Sequence, residues 1–168
     1  RRKRMLKGLH HAAYRCRDSE ETRSFYEDFL GLPLVHSIHI NQTITGREAR
    51  LLHTFYEMED GSCLAFFDAP GQPFEFKDQH DFDLHIALRV DAQTLHDMFE
   101  KGKASGIDTR GISQHGPFQS IYFRDPNGYV VELTADNDQP NAEQGFGQQD
   151  PHQNLNDWQA SRSGSAQA

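Results

Sequence analysis

The alternation of hydrophobic and polar residues along the chain predicts two similar series of strands and helices. The first series begins with LHHAAYRCR, residues 9–17, a short apolar stretch typical of a strand. Asp18 and Glu21 have the spacing of a capping box and predict the start of a helix. Gly31 is expected to end that helix, because glycine adopts the left-handed cap conformation at little cost. Apolar side chains recur at helical steps along this part of the chain: Phe25, Phe29 and Leu32.

Three further strands complete the first series. They are predicted over residues 34–40, 49–58 and 62–68. Glu59-Asp60-Gly61 joins the last two strands and is a hairpin signal. The segment 69–81 contains two prolines and a glycine, and we interpret it as a linker. The predicted order before the linker is therefore β-α-β-β-β.

The same order recurs after the linker. Residues 84–90, LHIALRV, predict a strand that again has a histidine near its start, and residues 91–104 predict a helix that Gly106 ends. Three more strands are predicted over residues 107–112, 118–124 and 129–134. Asp125-Pro126-Asn127-Gly128 forms a tight turn between the last two strands. The chain thus predicts an α+β fold of two βαβββ units, which share a curled sheet because neither unit closes a core alone.

The composition suits one compact domain followed by a polar tail. The chain has 168 residues, a formal net charge of -8 and 36% hydrophobic residues, a low share to which the tail contributes. Residues 136–168 are rich in Gln, Asn, Asp, Gly and Ser and predict a mostly disordered tail, in which Leu155 and Trp158 are spaced for one helical turn. We interpret residues 1–5 as a basic extension. The remainder is mildly acidic, so nucleic acid is not an expected partner.

The two cysteines, Cys16 and Cys63, both lie within predicted apolar strands. The chain contains no apolar run of the roughly 18 residues that a membrane span needs, and no signal-peptide pattern. We therefore expect a cytoplasmic protein with two reduced, buried thiols and no membrane partner.

Two histidines and one glutamate occupy matching positions of the two units. His11 and His85 have the same place in the first strand of each unit, so pseudo-twofold symmetry would direct both to one central cavity. Glu132 lies in an otherwise apolar last strand, where an unpaired carboxylate would be costly, and the equivalent residue of the first unit is Ala65. A single strand histidine is usually structural. Two imidazoles with one carboxylate, however, form the facial triad typical of non-haem Fe(II).

Three stretches of the sequence resemble the vicinal oxygen chelate superfamily, which includes glyoxalase I, fosfomycin-resistance enzymes, bleomycin-binding proteins and type I extradiol dioxygenases. They are LHHAAYRCRDSEETRSFYEDFLGLPL, DLHIALRV and SIYFRDPNGYVVEL. The resemblance covers residues 6–135, with units over 6–68 and 82–135, and implies the glyoxalase-like fold. It also implies that His11, rather than His10, is a metal ligand together with His85 and Glu132.

Two features make the chain more similar to the extradiol dioxygenases than to the glyoxalase-like members. Glyoxalase-like members place a fourth, carboxylate ligand where this chain has Ala65, whereas extradiol enzymes use two histidines and one glutamate. Extradiol enzymes also have a tyrosine ten residues before the ligand glutamate, as Tyr122 precedes Glu132. The resemblance implies that Tyr122 assists a bound catechol oxygen and that a second histidine moves protons. His115 is the preferred candidate for that histidine, and His53 is the alternative.

These features together predict a metal-dependent enzyme, most closely an Fe(II) extradiol-type dioxygenase that cleaves a catechol-like aromatic with O2. Mn(II), Ni(II) and Zn(II) are alternative metals. A glyoxalase-like isomerase or lyase and a metal-free small-molecule-binding resistance protein are alternative functions. A thiol transferase acting on fosfomycin would need clustered basic residues, which the sequence does not offer. Superfamily members often dimerise, so a homodimer is expected, with the site within one chain or shared between two.

Overall fold

The computed structural model describes residues 5–137 and 150–164 and contains two four-stranded sheets. The first sheet has the order β1-β4-β3-β2, with β1 (His11–Cys16), β2 (Leu34–Gln42), β3 (Glu48–Glu57) and β4 (Cys63–Asp68). The second has the order β5-β8-β7-β6, with β5 (Ile86–Arg89), β6 (Thr109–Gln114), β7 (Phe118–Arg124) and β8 (Val130–Asp136). The helices are α1 (Ser19–Arg23), continued by a π-helical segment (Ser24–Phe29), α2 (Ala92–Ala104) and α3 (Pro151–Gly164). The α+β class and the two βαβββ units are confirmed, and each unit forms its own four-stranded sheet rather than part of one shared curled sheet.

The strand register shows that the two units are built alike. In each sheet the first strand runs parallel to the last one, and the other neighbours are antiparallel. Ala13, two residues after His11, lies opposite Ala65 on β4. Ala87, two residues after His85, lies opposite Glu132 on β8. The predicted equivalence of Ala65 and Glu132 is therefore confirmed by the pairing.

The first helix begins and ends where the sequence predicts, with one difference. Asp18 caps it by accepting hydrogen bonds from the main-chain nitrogens of Glu20 and Glu21, both at 2.9 Å. The Glu21 carboxylate does not complete a capping box as expected, because it accepts a hydrogen bond from the neighbouring Arg17 guanidinium at 2.6 Å. Gly31 follows the helix with a φ of 82°, a left-handed conformation that favours glycine.

The turn between β7 and β8 anchors the second unit on the first. The Tyr26 hydroxyl donates to the Asp125 carboxylate at 2.8 Å, and both residues are buried. Asn127 accepts from the main-chain nitrogen of Arg17 at 2.8 Å, and the Tyr129 hydroxyl donates to the carbonyl of Arg15 at 2.9 Å. We call residues 125–129, which make these contacts, the inter-unit turn. They fix the ends of the two strands that carry Tyr122 and Glu132.

The tail contains a helix where the sequence predicts mostly disorder. Asp150 caps α3 by accepting from the main-chain nitrogen of His152 at 2.9 Å. Leu155 and Trp158 remain 54% and 63% exposed, so the helix forms without burying them. The expectations for residues 1–4, 138–149 and 165–168 lie outside the described residues. Within the described ranges, no helix is long and apolar enough to cross a membrane.

Candidate functional site

His85 lies at the start of the edge strand β5 and faces Glu132 on the neighbouring strand β8. His85 immediately precedes β5, and its Nε2 atom lies 3.1 Å from Oε2 of Glu132. The Nδ1 atom of His85 lies 2.7 Å from the main-chain oxygen of Asp81. Because a carbonyl oxygen only accepts, Nδ1 must carry the proton, and a neutral ring then presents the Nε2 lone pair to the carboxylate. Two facing lone pairs require a proton or a cation between them, so a proton or a cation joins the two groups.

The second oxygen of Glu132 explains how a carboxylate is tolerated in an apolar strand. Glu132 is only 6% exposed. Its Oε1 atom accepts a hydrogen bond from the Ser120 hydroxyl at 2.5 Å and one from the Tyr122 hydroxyl at 3.4 Å. These donors offset part of the cost of burying the charge and hold the carboxylate in one orientation, with Oε2 directed at His85.

Tyr122 connects Glu132 with the loop that contains His115. Tyr122 lies directly opposite Glu132 on the neighbouring strand, and its hydroxyl lies 3.0 Å from Nε2 of His115. Burial, followed by the charge of Glu132, raises the pKa of Tyr122 above its ordinary value of 10.0. The phenol is therefore protonated near neutral pH and can donate. The structure thus brings together four of the five predicted site residues: His85, His115, Tyr122 and Glu132.

His11 lies on the first sheet, away from this group. Its side chain is exposed, beside Phe55 with ring centroids 5.5 Å apart, and its Nδ1 atom lies 2.7 Å from Nδ1 of His10. Among residues 5–137 and 150–164, no three or more His, Cys, Asp or Glu side chains of one chain are close enough together to hold a metal ion. The metal-ligand role of His11, His85 and Glu132 therefore stays a prediction.

His53, the alternative candidate for the proton-transferring histidine, is buried and held in place by neighbouring residues. The ring is 7% exposed and stacks on Phe67, with centroids 3.7 Å apart and an interplanar angle of 7°. Its Nδ1 atom lies 3.0 Å from the carbonyl oxygen of Phe66, so Nδ1 donates and Nε2 is left as a potential base. His53 also lies 6.4 Å, centroid to centroid, from His11. The open face of the first sheet therefore combines two imidazoles with aromatic side chains.

Three residues near the pair were missed by the sequence reasoning: Ser120, Asp81 and Arg110. Ser120 and Tyr122 are two positions apart on one strand, so the period of two indicated a shared face. Asp81 and Arg110 form an ion pair at 2.9 Å between the linker and β6. No short sequence pattern relates them, because their contact depends on how the linker folds over the sheet edge.

A cavity of about 920 Å³ lies at the opposite end of β5 from His85. Apolar side chains form most of its wall, including Leu30, Met58 and Met98, with Arg89 and Asp91 among the charged ones. None of the predicted metal ligands lines it.

The duplicated fold and the facing histidine and glutamate define a vicinal oxygen chelate protein. The sequence model of the Glyoxalase/Bleomycin resistance protein/Dioxygenase superfamily matches residues 8–133. The chain belongs to this superfamily.

Curated relatives include proteins named as dioxygenases, one of them as ring-cleaving. A Bacillus subtilis protein assigned as a ring-cleaving dioxygenase, MhqA, is 29% identical over 135 residues, which are 78% of this chain and 41% of that protein. Biphenyl-2,3-diol 1,2-dioxygenase 3 of Rhodococcus globerulus is 35% identical over 83 residues, 47% of this chain and 43% of that enzyme. The chain thus spans less than half the length of these relatives.

Solved structures share the fold at lower sequence identity. A glyoxalase/dioxygenase from Nostoc punctiforme matches with a TM-score of 0.61 and 23% identity, covering 80% of this chain and 94% of that one. The fosfomycin resistance protein FosX from Listeria monocytogenes, solved with Mn(II) and sulfate, matches with a TM-score of 0.59 and 20% identity, covering 79% and 95%. These likenesses confirm the glyoxalase-like fold.

Proposed function

We propose that the protein is a metal-dependent dioxygenase of the extradiol type, which cleaves a catechol-like aromatic beside its two hydroxyls. The observation that carries the proposal is the contact between His85 Nε2 and Glu132 Oε2 at 3.1 Å, with the ring tautomer set by the Asp81 carbonyl. Imidazole and carboxylate donors suit Fe(II), and His11 is the proposed third ligand. The similarity to proteins named as dioxygenases, one of them as ring-cleaving, supports this reaction class.

The alanine at position 65 favours a metal site with three protein ligands over one with four. It lies at the position of the first sheet that corresponds to Glu132 in the second, and a methyl group cannot coordinate a metal. Two histidines and one carboxylate leave three open positions on an octahedral ion, enough for a bidentate substrate and O2. A glyoxalase-like isomerase would need a further acid–base carboxylate, which Ala65 cannot supply.

We further propose that His11 reaches the pair from a second copy of the chain. The two units of one chain pack through the faces opposite to the predicted ligands, as shown by Tyr14 against Tyr129 at 5.3 Å and Phe29 against Phe123 at 5.1 Å between ring centroids. His11 and His85 both stay exposed. A symmetric dimer that covers the open face of each first sheet with the second sheet of the other copy would complete two equivalent sites.

The residues around the pair have separate tasks in this proposal. Bound Fe(II) would supply Lewis acidity toward the catechol oxygens and a path for electrons from the diolate to O2. The Tyr122 phenol donates a hydrogen bond to a substrate oxygen, and His115, 3.0 Å from that phenol, exchanges its proton with solvent. His53 accepts a proton from a substrate hydroxyl at Nε2, since its Nδ1 is engaged by the Phe66 carbonyl. Phe55 and Phe67 line the same face and would contact an aromatic ring.

The proposal is tested by anaerobic reconstitution with Fe(II), followed by O2 uptake and ring-fission absorbance on a panel of catechols. Hemithioacetal turnover with Ni(II) or Zn(II) is measured in parallel. We expect stoichiometric O2 uptake and a yellow product, and we expect both to be lost in Glu132→Gln. Glu100→Gln is the matched control, because Glu100 lies on α2 and pairs only with the exposed Lys103. Hemithioacetal turnover alone, or ligand binding by protein that takes up no metal, would contradict the proposal.

A further inference from the structure

We propose that Arg110 is a positioning residue that holds His85 in its metal-binding orientation through Asp81. The inference rests on the proposed function, because it concerns the same histidine. Arg110 lies on β6, at the far edge of the second sheet from β5, and it touches neither His85 nor Glu132 directly. Its effect must therefore pass through the residues it binds.

Asp81 provides the first connection, since its main chain and its side chain have different partners. Its main-chain oxygen accepts from His85 Nδ1 at 2.7 Å. Its carboxylate oxygens lie 3.0 and 2.9 Å from Nη2 of Arg110. The carbonyl that sets the tautomer of His85 thus belongs to a linker residue whose side chain is tied to the sheet by one guanidinium. Without that tie, the position of the carbonyl would depend on contacts elsewhere in the linker, such as that of the Gln79 carbonyl with Arg124 at 3.5 Å.

Tyr122 provides the second connection. Arg110 lies directly opposite Tyr122 in the strand pairing, and Tyr122 lies directly opposite Glu132. The guanidinium carbon of Arg110 is 5.2 Å from the centroid of the Tyr122 ring, within the range of a cation–π contact. One side chain therefore braces both the phenol that hydrogen-bonds Glu132 and the carbonyl that orients His85.

The exposure of the ion pair separates positioning from stability. The side chains of Arg110 and Asp81 are 49% and 23% exposed, and ion pairs of that exposure add little to folding. The loss of a direct outer partner of a metal-binding histidine typically weakens metal affinity by about 10–100-fold, and a contact one residue further out should cost less. A variant without the ion pair should accordingly fold as well as the wild type but bind metal less tightly.

The experiment uses Arg110→Met, Asp81→Asn and the double variant of the full chain, with Arg17→Met as the matched control. Arg17 precedes the first helix and forms an exposed ion pair with Glu21 at 2.6 Å. Asp81→Asn keeps the main-chain carbonyl and removes only the charge. The first readout is the tautomer of His85 in metal-free protein, from long-range proton–nitrogen correlations, with the signal assigned by its loss in His85→Gln. The second is the affinity for Co(II), from competition with a chromophoric chelator.

We expect the Nδ1 atom of His85 to be protonated in the wild type and in Arg17→Met, and we expect the other variants to gain a population in which Nδ1 is not protonated. We expect Co(II) to bind up to about 10-fold more weakly to Arg110→Met and Asp81→Asn, with no further loss in the double variant, because both changes weaken the same connection. Folded Arg110→Met with an unchanged tautomer and unchanged Co(II) affinity would overturn the inference. Wild-type protein that binds no Co(II) would instead count against the proposed function, while the tautomer would still decide the role of Arg110.

Discussion

The His85 ring and the Glu132 carboxylate face each other, with Nε2 and Oε2 3.1 Å apart. The Ser120 and Tyr122 hydroxyls bind the other carboxylate oxygen, and the Asp81 carbonyl binds the other ring nitrogen. Each group thus has one atom bound by neighbouring residues and one atom that faces the other group. This division of contacts is the basis for the predictions that follow.

Mixing two inactive variants should restore activity if the site is shared between copies. His11→Ala and Glu132→Gln each remove one ligand and should each be inactive. In a shared arrangement, a mixed dimer holds one site with both changes and one intact site, so random reassociation should recover about a quarter of the wild-type activity. The measurement is O2 uptake after unfolding and refolding the mixture, with mixed dimers verified by mass spectrometry. Verified mixed dimers without activity would show that the site is not shared.

Tyr122→Phe should bind metal normally but turn over slowly. The phenol hydroxyl contacts Glu132 only at 3.4 Å, so its removal leaves the proposed ligands in place but takes away the proton donor to substrate. We expect a decrease in kcat of about 10²-fold with little change in Co(II) affinity. Tyr14→Phe is the control, because that ring packs on Phe66 and Tyr129 on the opposite side of the first sheet. Equal losses of metal affinity and kcat would assign Tyr122 a structural role.

Ser120→Ala should destabilise the metal-free protein. The hydroxyl is fully buried and donates to the Glu132 carboxylate at 2.5 Å, so the variant leaves a buried charge with a weaker set of donors. A hydrogen bond to a charged group contributes about 2 kcal/mol to the free energy of unfolding. Urea denaturation of metal-free protein measures the loss, with Ser113→Ala on the neighbouring strand as control. A change below about 0.5 kcal/mol would mean that water replaces the hydroxyl.

The pH dependence of stability should contain a contribution from Asp125 of unusual sign. Burial raises the pKa of this carboxyl above its ordinary value of 3.8, although Tyr26 and Asn127 donate to it. Because the folded state favours the protonated form, this contribution is full at pH values below 3.8 and is lost as the pH rises through the raised pKa. Asp125→Asn has no such titration. The unfolding free energy of wild type minus that of the variant should therefore decrease between pH 4 and 7, measured by urea denaturation. An increase over that interval would contradict the assigned direction.

The two thiols should differ in reactivity. Cys16 is fully buried, and burial raises its pKa to about 11, so almost no thiolate exists near neutral pH. Cys63 is partly exposed. A disulfide reagent at pH 8 should label Cys63 first and reach Cys16 only when the protein unfolds. Cys63→Ser identifies the labelled residue, and rapid labelling of that variant would show that Cys16 is accessible.

The sequence predicted the fold well because each local signal agreed with the packing. Asp18 caps the first helix, Gly31 ends it, and the turn that begins at Asp125 connects the expected strands. The capping role of Glu21 failed because Arg17 competes for its carboxylate. Local patterns of this kind do not report which of two nearby partners an exposed side chain selects.

The candidate site was predicted as far as strand alternation and resemblance allow. The resemblance related Tyr122 to Glu132 by their spacing, and the structure pairs the two residues directly on neighbouring strands. The relation of His11 to His85 depends on how the sheets of two units, or two chains, are arranged, and a strand pattern holds no information about that. The contact of Asp81 with Arg110 likewise depends on the path of the linker.

The inter-unit turn has a consequence for the history of the duplication. Tyr26 from the first half and Asp125 from the second satisfy each other in a place that neither half encloses alone. An ancestor with a single repeat would have had to obtain that acceptor from another molecule. Cutting the chain between residues 69 and 81 should consequently yield two fragments that fold only when they are mixed.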